Sequence, residues 1–447
     1  MRNGASPSSQ RRQFITAAAA SLALPAVAQS APPVPQEAPV EKLERSGTRV
    51  VGFADAEMDY QLMRQLGATR YGGASVGECL AIARRIKDAD PESWVSEFTA
   101  AGQRQKLDAD ARLKRGHGTS ARDQYLVASN NYRAAEYYCI ASDPRHAQLG
   151  LASRECFLAA MRAGGIACEA FSLPLDGIAL PAYYFRNPAA QGKRARTLLI
   201  TSGYDGTLEE TWLAYGRAAM ERGYHLMLFT GPGQMDTLRL YPGIQFIPEF
   251  ERIGRVALDH VLARADVDPN RVALMGISFG GYFATRIAAH EPRVRALIAN
   301  SPIIDLHAYM ASFAGFDPAE MPDSEDVRLA DIGKIPPGAI PAQTVAMMHN
   351  LMLRVGGGSF KRTYQRLRDF RVAPDKLQAI TCPSLALVGE GEGKEPLAQS
   401  ERFCQHVTGP VRQHVFTREE GADGHCQAIN LAYSAAVSMD WLDEVFA

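Results

Sequence analysis

From Ile166 onward the chain alternates short apolar runs with amphipathic helical stretches, and that alternation leaves few folds open. The runs are Glu169–Leu175, Ile178–Phe185, Thr197–Ser202, His225–Thr230, Val272–Gly276, Val294–Asn300, Leu385–Gly389 and Gln413–Thr417. Between them lie helical patterns such as Leu208–Arg222, Phe250–Ala265, Gly280–His290 and Gln399–Val407. Runs that are apolar throughout belong to strands covered on both faces, so the pattern predicts a mainly parallel twisted sheet with helices on either side. The first two runs meet at Asp176-Gly177, a turn pair that reads as a hairpin. Residues 305–375, helical and Met-rich, are too long for a simple crossover. They read as an insertion overhanging the carboxyl ends of the strands, where such sheets bind ligands.

Before Ile166 the texture differs. Residues 55–165 carry apolar positions three and four apart, as in Val76–Ala89, Pro91–Lys106, Ala121–Tyr138 and His146–Arg162. They predict a helical N-terminal domain, with Asp90-Pro91 and Ser142-Asp143-Pro144 marking helix entries. A chain of 447 residues is long enough for such a domain beside a catalytic-sized domain spanning 166–447. At the start, Arg11-Arg12 precedes the alanine-rich stretch Ala17 to Ala28, which ends in the small-x-small sequence Ala26-Val27-Ala28. That arrangement predicts a twin-arginine (Tat) signal peptide over 1–28, a linker over 29–54, and a periplasmic or secreted mature protein. No other stretch approaches transmembrane length.

Charge is balanced, with 48 basic against 49 acidic residues, which argues against nucleic acid or an anionic membrane as partner and favours a small-molecule substrate. A homodimer is compatible with this composition. The 7 cysteines show no C-x-x-C pair and no metal-ligand spacing, and read as small buried hydrophobes. No dinucleotide fingerprint or H-E-x-x-H motif occurs, so no cofactor or metal is expected.

Chemistry enters at Gly276-Ile277-Ser278-Phe279-Gly280-Gly281, between an apolar strand and a helix. A serine on such a strand-to-helix turn is presented for attack, and the glycines let neighbouring backbone come close. Ser278 is therefore the candidate nucleophile. Of the 10 histidines, His425 follows the last run in a glycine-bearing loop, where the order serine, acid, histidine puts the base. The acid is expected after Leu385–Gly389, and Glu392 is favoured over Glu390. Asp305, at the entry to the insertion, is a further acid candidate and a candidate for substrate contact. Backbone N–H groups of Phe279 and of Tyr204, in the loop Ser202-Gly203-Tyr204-Asp205-Gly206-Thr207, are the candidate oxyanion hole.

These motifs resemble those of the α/β-hydrolases. Ser202–Glu210, Gly276–Tyr282 with Glu291-Pro292-Arg293-Val294, and Gly421–Gln427 resemble one group among them. It is the group of 2,6-dihydroxypseudooxynicotine hydrolase and the fungal polyketide-shortening hydrolases. The segment Ala128–Tyr137 also resembles their helical N-terminal domain. The resemblance implies a helical cap over the active site, hydrolysis of a carbon–carbon bond next to a ketone, and, for Tyr132 and Arg133, either substrate contact or packing. The export signal and the glutamate at the acid position depart from that pattern. Carboxylesterases use the same apparatus and are the nearest rival reading. Prolyl-oligopeptidase-like peptidases also share it, but they carry a β-propeller where this chain is helical.

Overall fold

The apolar runs lie side by side in one sheet of 8 strands in the computed structural model, which describes residues 50, 52–191, 193–336 and 338–447. The expected export signal and most of the expected linker fall outside the described residues. The strands are β1 (Cys168–Leu175), β2 (Ile178–Phe185), β3 (Ala195–Thr201), β4 (His225–Phe229), β5 (Val267–Ile277), β6 (Ala296–Asn300), β7 (Ser384–Gly389) and β8 (Val411–Phe416). Their order is β1-β2-β4-β3-β5-β6-β7-β8. β1 and β2 form the hairpin, β2 runs antiparallel to β4, and the remaining pairs are parallel.

Side chains of the central strands alternate between two apolar layers, as the two-residue period of a strand requires. Leu198, Ile200, Leu226, Leu228 and Met275 point into the layer shared with the N-terminal helices and the C-terminal helix Leu431–Val445. Leu199, Met227, Phe229 and Leu274 point into the layer shared with the helix Phe279–His290 and the insertion. Every residue of β4, β6 and β7 is buried, which explains why their sequences are apolar without alternation.

Ahead of β1 come the helices Ala56–Gly67, Val76–Ala83, Pro91–Lys114, Gly118–Tyr137 and Pro144–Ala163. Asp90 and Asp143 cap the third and fifth with their side chains, each followed by a proline at the first helical position. The expected helix Val76–Ala89 stops at Ala83, because the chain must turn through Ala89 (φ 57°) to reach that cap. The expected continuous helix Leu208–Arg222 is also corrected. A π-helical turn, Trp212–Gly216, interrupts it between Leu208–Thr211 and Arg217–Glu221. Such wide turns re-aim side chains, and Leu213, Ala214 and Tyr215 of this one line the pocket described below. No helix among the described residues is long and apolar enough to cross a membrane.

Among the contacts that join the N-terminal helices to the sheet domain, two involve deep burial or close backbone packing. Arg239 is buried and pairs with Glu136 of the fourth helix (2.7 Å), with Asp236 (2.8 Å) and with Glu209 (3.2 Å). Burial pushes the Asp236 carboxyl up to about 8; Arg239 opposes that rise, while Glu209 and Glu136 add to it. An ion cluster this dry is costly to break, because losing one partner leaves the others buried and unpaired. The second contact is close backbone packing. The first helix ends at Gly67, where an added Cβ would lie 1.8 Å from the Ala428 carbonyl.

Gly67→Val is therefore expected to lower stability by about 1–3 kcal/mol through overpacking. Thermal denaturation checks this, and an unchanged midpoint would contradict the docking described.

Candidate active site

The Ser278 backbone sits at φ 60°, ψ −127°, a region that L-residues avoid. β5 ends immediately before it and the helix Phe279–His290 begins immediately after it. Reversing direction in so few residues brings backbone against backbone. A Cβ at Gly276 would lie 1.8 Å from the Gly280 carbonyl, so only glycine fits there. The loop after β3 is equally close: a Cβ on Gly203 would lie 2.5 Å from the Phe279 nitrogen and 2.8 Å from Ser278 Cβ. The candidate oxyanion donors, Phe279 N–H and Tyr204 N–H, thus belong to two segments in contact beside Ser278.

The loop after β8 carries His425, and the short turn after β7 carries Glu392. His425 Nε2 lies 2.9 Å from Ser278 Oγ, and its Nδ1 lies 2.6 Å from Glu392 Oε2. The carboxylate is itself held, since Ser301 Oγ donates to it (2.9 and 3.0 Å) and the Gly389 N–H donates to Oε1 (2.9 Å). Glu390, the alternative acid, instead accepts from the Arg418 N–H (2.6 Å). Tyr309, from the insertion, places its hydroxyl 3.2 Å from His425 Nδ1. Cys426 places its sulfur 3.4 Å from Nε2. Tyr60 of the first helix donates to the His425 carbonyl (2.8 Å) and fixes the loop from behind.

Burial works against a charge on the His425 imidazole. Cys426 and the Glu392 carboxylate outweigh it, and the His425 pKa stands above the ordinary histidine value. In the neutral imidazole, with Nδ1–H donated to Glu392, Nε2 is the acceptor facing Ser278 Oγ.

A narrow cavity opens at Ser278. Ile277, Leu213, Ala214 and Leu431 give it apolar walls, and Arg64, Asp205 and Glu210 line its polar side. Arg64 of the first helix donates from Nε to Glu210 (2.6 Å) and from Nη2 to the Asp205 carbonyl (3.3 Å). The residues expected to touch substrate from elsewhere are not among those lining it. Tyr132 is buried among helices, its ring filling the space beside Gly102. Arg133 stands behind Arg64, donating to Gln65 (2.6 Å) and 3.6 Å from Glu210. Asp305 is spent as the N-cap of the helix Leu306–Ala314, accepting from Ala308 N–H (2.9 Å). Sequence reasoning missed Tyr60, Arg64, Ser301, Tyr309 and Glu210, whose proximity arises only from tertiary packing. Among the described residues, no group of three or more His, Cys, Asp or Glu side chains is arranged to hold a metal ion.

Known proteins of similar sequence or structure include hydrolases. The model of the prolyl oligopeptidase family matches residues 256–332. The alpha/beta hydrolase xenA of Xenoacremonium sinensis is 30% identical over 366 residues, spanning 77% of this chain and 84% of its own. The 20-hydroxy-prefusarin hydrolase FUS2 of Gibberella moniliformis is 33% identical over 267 residues, spanning 57% of this chain and 62% of its own. Among solved structures, 2,6-dihydroxy-pseudo-oxynicotine hydrolase superposes with a TM-score of 0.61 at 19% identity, covering 85% of this chain and 95% of that one.

If the Glu392 carboxylate sustains the raised His425 pKa, Glu392→Gln is expected to lower it by about one unit or more. NMR titration of the His425 ring reads this directly, and an unmoved midpoint would contradict the assignment.

Proposed function

The chain belongs to the α/β-hydrolase family, and on that premise we propose that it is a serine hydrolase of a small ketone or ester. Ser278 is its nucleophile, His425 its base, Glu392 its acid. The observation that carries the reading is the continuous chain of contacts from Ser278 Oγ to His425 Nε2 (2.9 Å) and from His425 Nδ1 to Glu392 (2.6 Å). As Oγ attacks the substrate carbonyl, Nε2 takes its proton. The carbonyl oxygen becomes an oxyanion and is held by the N–H groups of Phe279 and Tyr204. Glu392 keeps the imidazole in the required tautomer and stabilises the imidazolium.

Collapse of the tetrahedral species expels the leaving group, which takes the proton from His425. An ester loses an alkoxide in this step, and a β-diketone loses an enolate carbon. Water, deprotonated by His425, then releases the acyl group from Ser278. The apolar cavity walls suit an aromatic or alkyl substituent. Cleavage next to a ketone is what the motif resemblance of Ser202–Glu210, Gly276–Tyr282 and Gly421–Gln427 implies. Peptide hydrolysis has the prolyl oligopeptidase match in its favour, but residues 256–332 cover the strand, elbow and helix that serine hydrolases share. Export and a helical cap over 55–165 belong to the same proposal.

The test offers the protein a matched aryl ester and aryl β-diketone and identifies the products by mass spectrometry. Diketone cleavage that falls roughly 10⁴-fold or more in Ser278→Ala is expected. Ester cleavage alone would leave an esterase, and wild-type turnover by Ser278→Ala would sink the nucleophile assignment. Because the base must be neutral to act, a raised pKa places the acid limb of the pH–rate profile above the ordinary histidine range.

A further inference from the structure

The mechanism above leaves one buried charge unused. Arg354, near the end of the insertion helix Ala342–Val355, is 1% exposed. Its Nε and Nη2 donate to the Gly233 carbonyl (3.0 and 2.7 Å), and Nη2 also donates to the Tyr204 carbonyl. The guanidinium lies over the Tyr204 ring at 3.6 Å and near the Phe246 ring at 5.1 Å. Nη1 has no hydrogen-bond partner, and the Asp205 and Glu136 carboxylates attract the cation without offsetting its burial. Burial accordingly holds its pKa below the usual arginine value. A cation buried on these terms destabilises a fold relative to an apolar side chain of similar size. Its retention calls for another reason, and the place where it is held supplies one.

Tyr204 stands in the loop that presents an oxyanion donor, and the carbonyls of that loop are tied down in succession. Gln234 Nε2 donates to Ser202 (2.7 Å) and Gly203 (3.3 Å), Arg354 to Tyr204, and Arg64 to Asp205 (3.3 Å). The Gly203 carbonyl and the Tyr204 N–H share one rigid peptide plane. Gln234 fixes one side of that plane. The other side turns about the Tyr204 Cα, which Arg354 fixes through both carbonyl and ring. The ring also packs against Phe279 (5.4 Å) and Phe246 (5.8 Å), so both donor residues share one aromatic cluster.

We propose that Arg354 is a positioning residue that aims the Tyr204 N–H at the oxyanion, so that docking of the 305–375 insertion and assembly of the oxyanion hole are one event. The inference rests on the serine-hydrolase reading given above. A hydrogen-bond donor displaced by a fraction of an ångström still lets substrate bind but loses the developing charge. The effect of losing Arg354 therefore belongs in kcat rather than KM.

The test compares full-length wild type, Arg354→Met and Arg354→Lys for aryl ester kcat and KM. The same proteins are assayed for inhibition by an aryl trifluoromethyl ketone, which forms a tetrahedral adduct on the serine, and for thermal midpoint. Arg354→Met is expected to lose roughly 100-fold in kcat and a similar factor in ketone affinity. KM should stay within about threefold and the midpoint should hold or rise. Arg354→Lys, with one donor left for the Tyr204 carbonyl, should recover part of both losses. Unchanged kcat and ketone affinity in Arg354→Met would overturn the inference, as would losses that only track a fallen midpoint. Should Arg354→Met fail to fold, Arg354→Lys decides on the same readouts: wild-type values in it overturn the inference. If ester turnover by the wild type does not depend on Ser278, the serine-hydrolase reading fails and the inference falls with it.

Discussion

The site depends on how closely backbone packs around Ser278. Its strained dihedral angles cost on the order of 1–3 kcal/mol and persist only because the surroundings over-determine them. β5 fixes the approach, the helix Phe279–His290 fixes the departure, and the loop through Gly203 closes the third side within van der Waals reach. A sheet buried on both faces can hold such a turn because its strands cannot relax sideways without breaking the parallel ladder or the packed layers. The sheet order puts β3 and β6 on either side of β5, with β7 and β8 beyond, so the loops bearing Tyr204, Glu392 and His425 all open at the same end.

The parts added to the sheet also hold the loops of the candidate site. The first helix supplies Tyr60, which holds the His425 carbonyl, and Arg64, which holds the loop around Asp205. The insertion supplies Tyr309 beside His425 and Arg354 beneath Tyr204. The buried Arg239 cluster ties the fourth helix to Glu209, a residue in the first turn after the Tyr204 loop. Each of these side chains acts on a loop that a bare sheet would leave free. The helical segments and the sheet domain therefore both contribute side chains to the candidate site.

Much of this was legible in the sequence, and the reason is local. The elbow needs glycines at fixed offsets from a serine between a strand and a helix, and strand and helix announce themselves by period. Glu392 and His425 were reachable because chain order in such sheets fixes which strand-end loop holds which group. Ser278 and His425 are 147 residues apart, yet each follows its own strand. What was not legible lacks a local signature. Tyr60 and Arg64 meet the site from more than 140 residues away, and Arg64 reads in sequence as one more solvated helix residue. The π-turn at Trp212–Gly216 has the composition of ordinary helix. Tyr132, Arg133 and Asp305 were placed by analogy or proximity in sequence. Burial and capping, which sequence does not display, drew them away from the cavity.

The central claim is that Ser278 is an activated nucleophile made reactive by His425. It is tested most directly by treating the full-length protein with a fluorophosphonate and locating the adduct by peptide mass spectrometry. The account predicts a single modification on Ser278 that His425→Ala slows by orders of magnitude. A protein left unmodified, or labelled at another residue while Ser278 stays free, would contradict it.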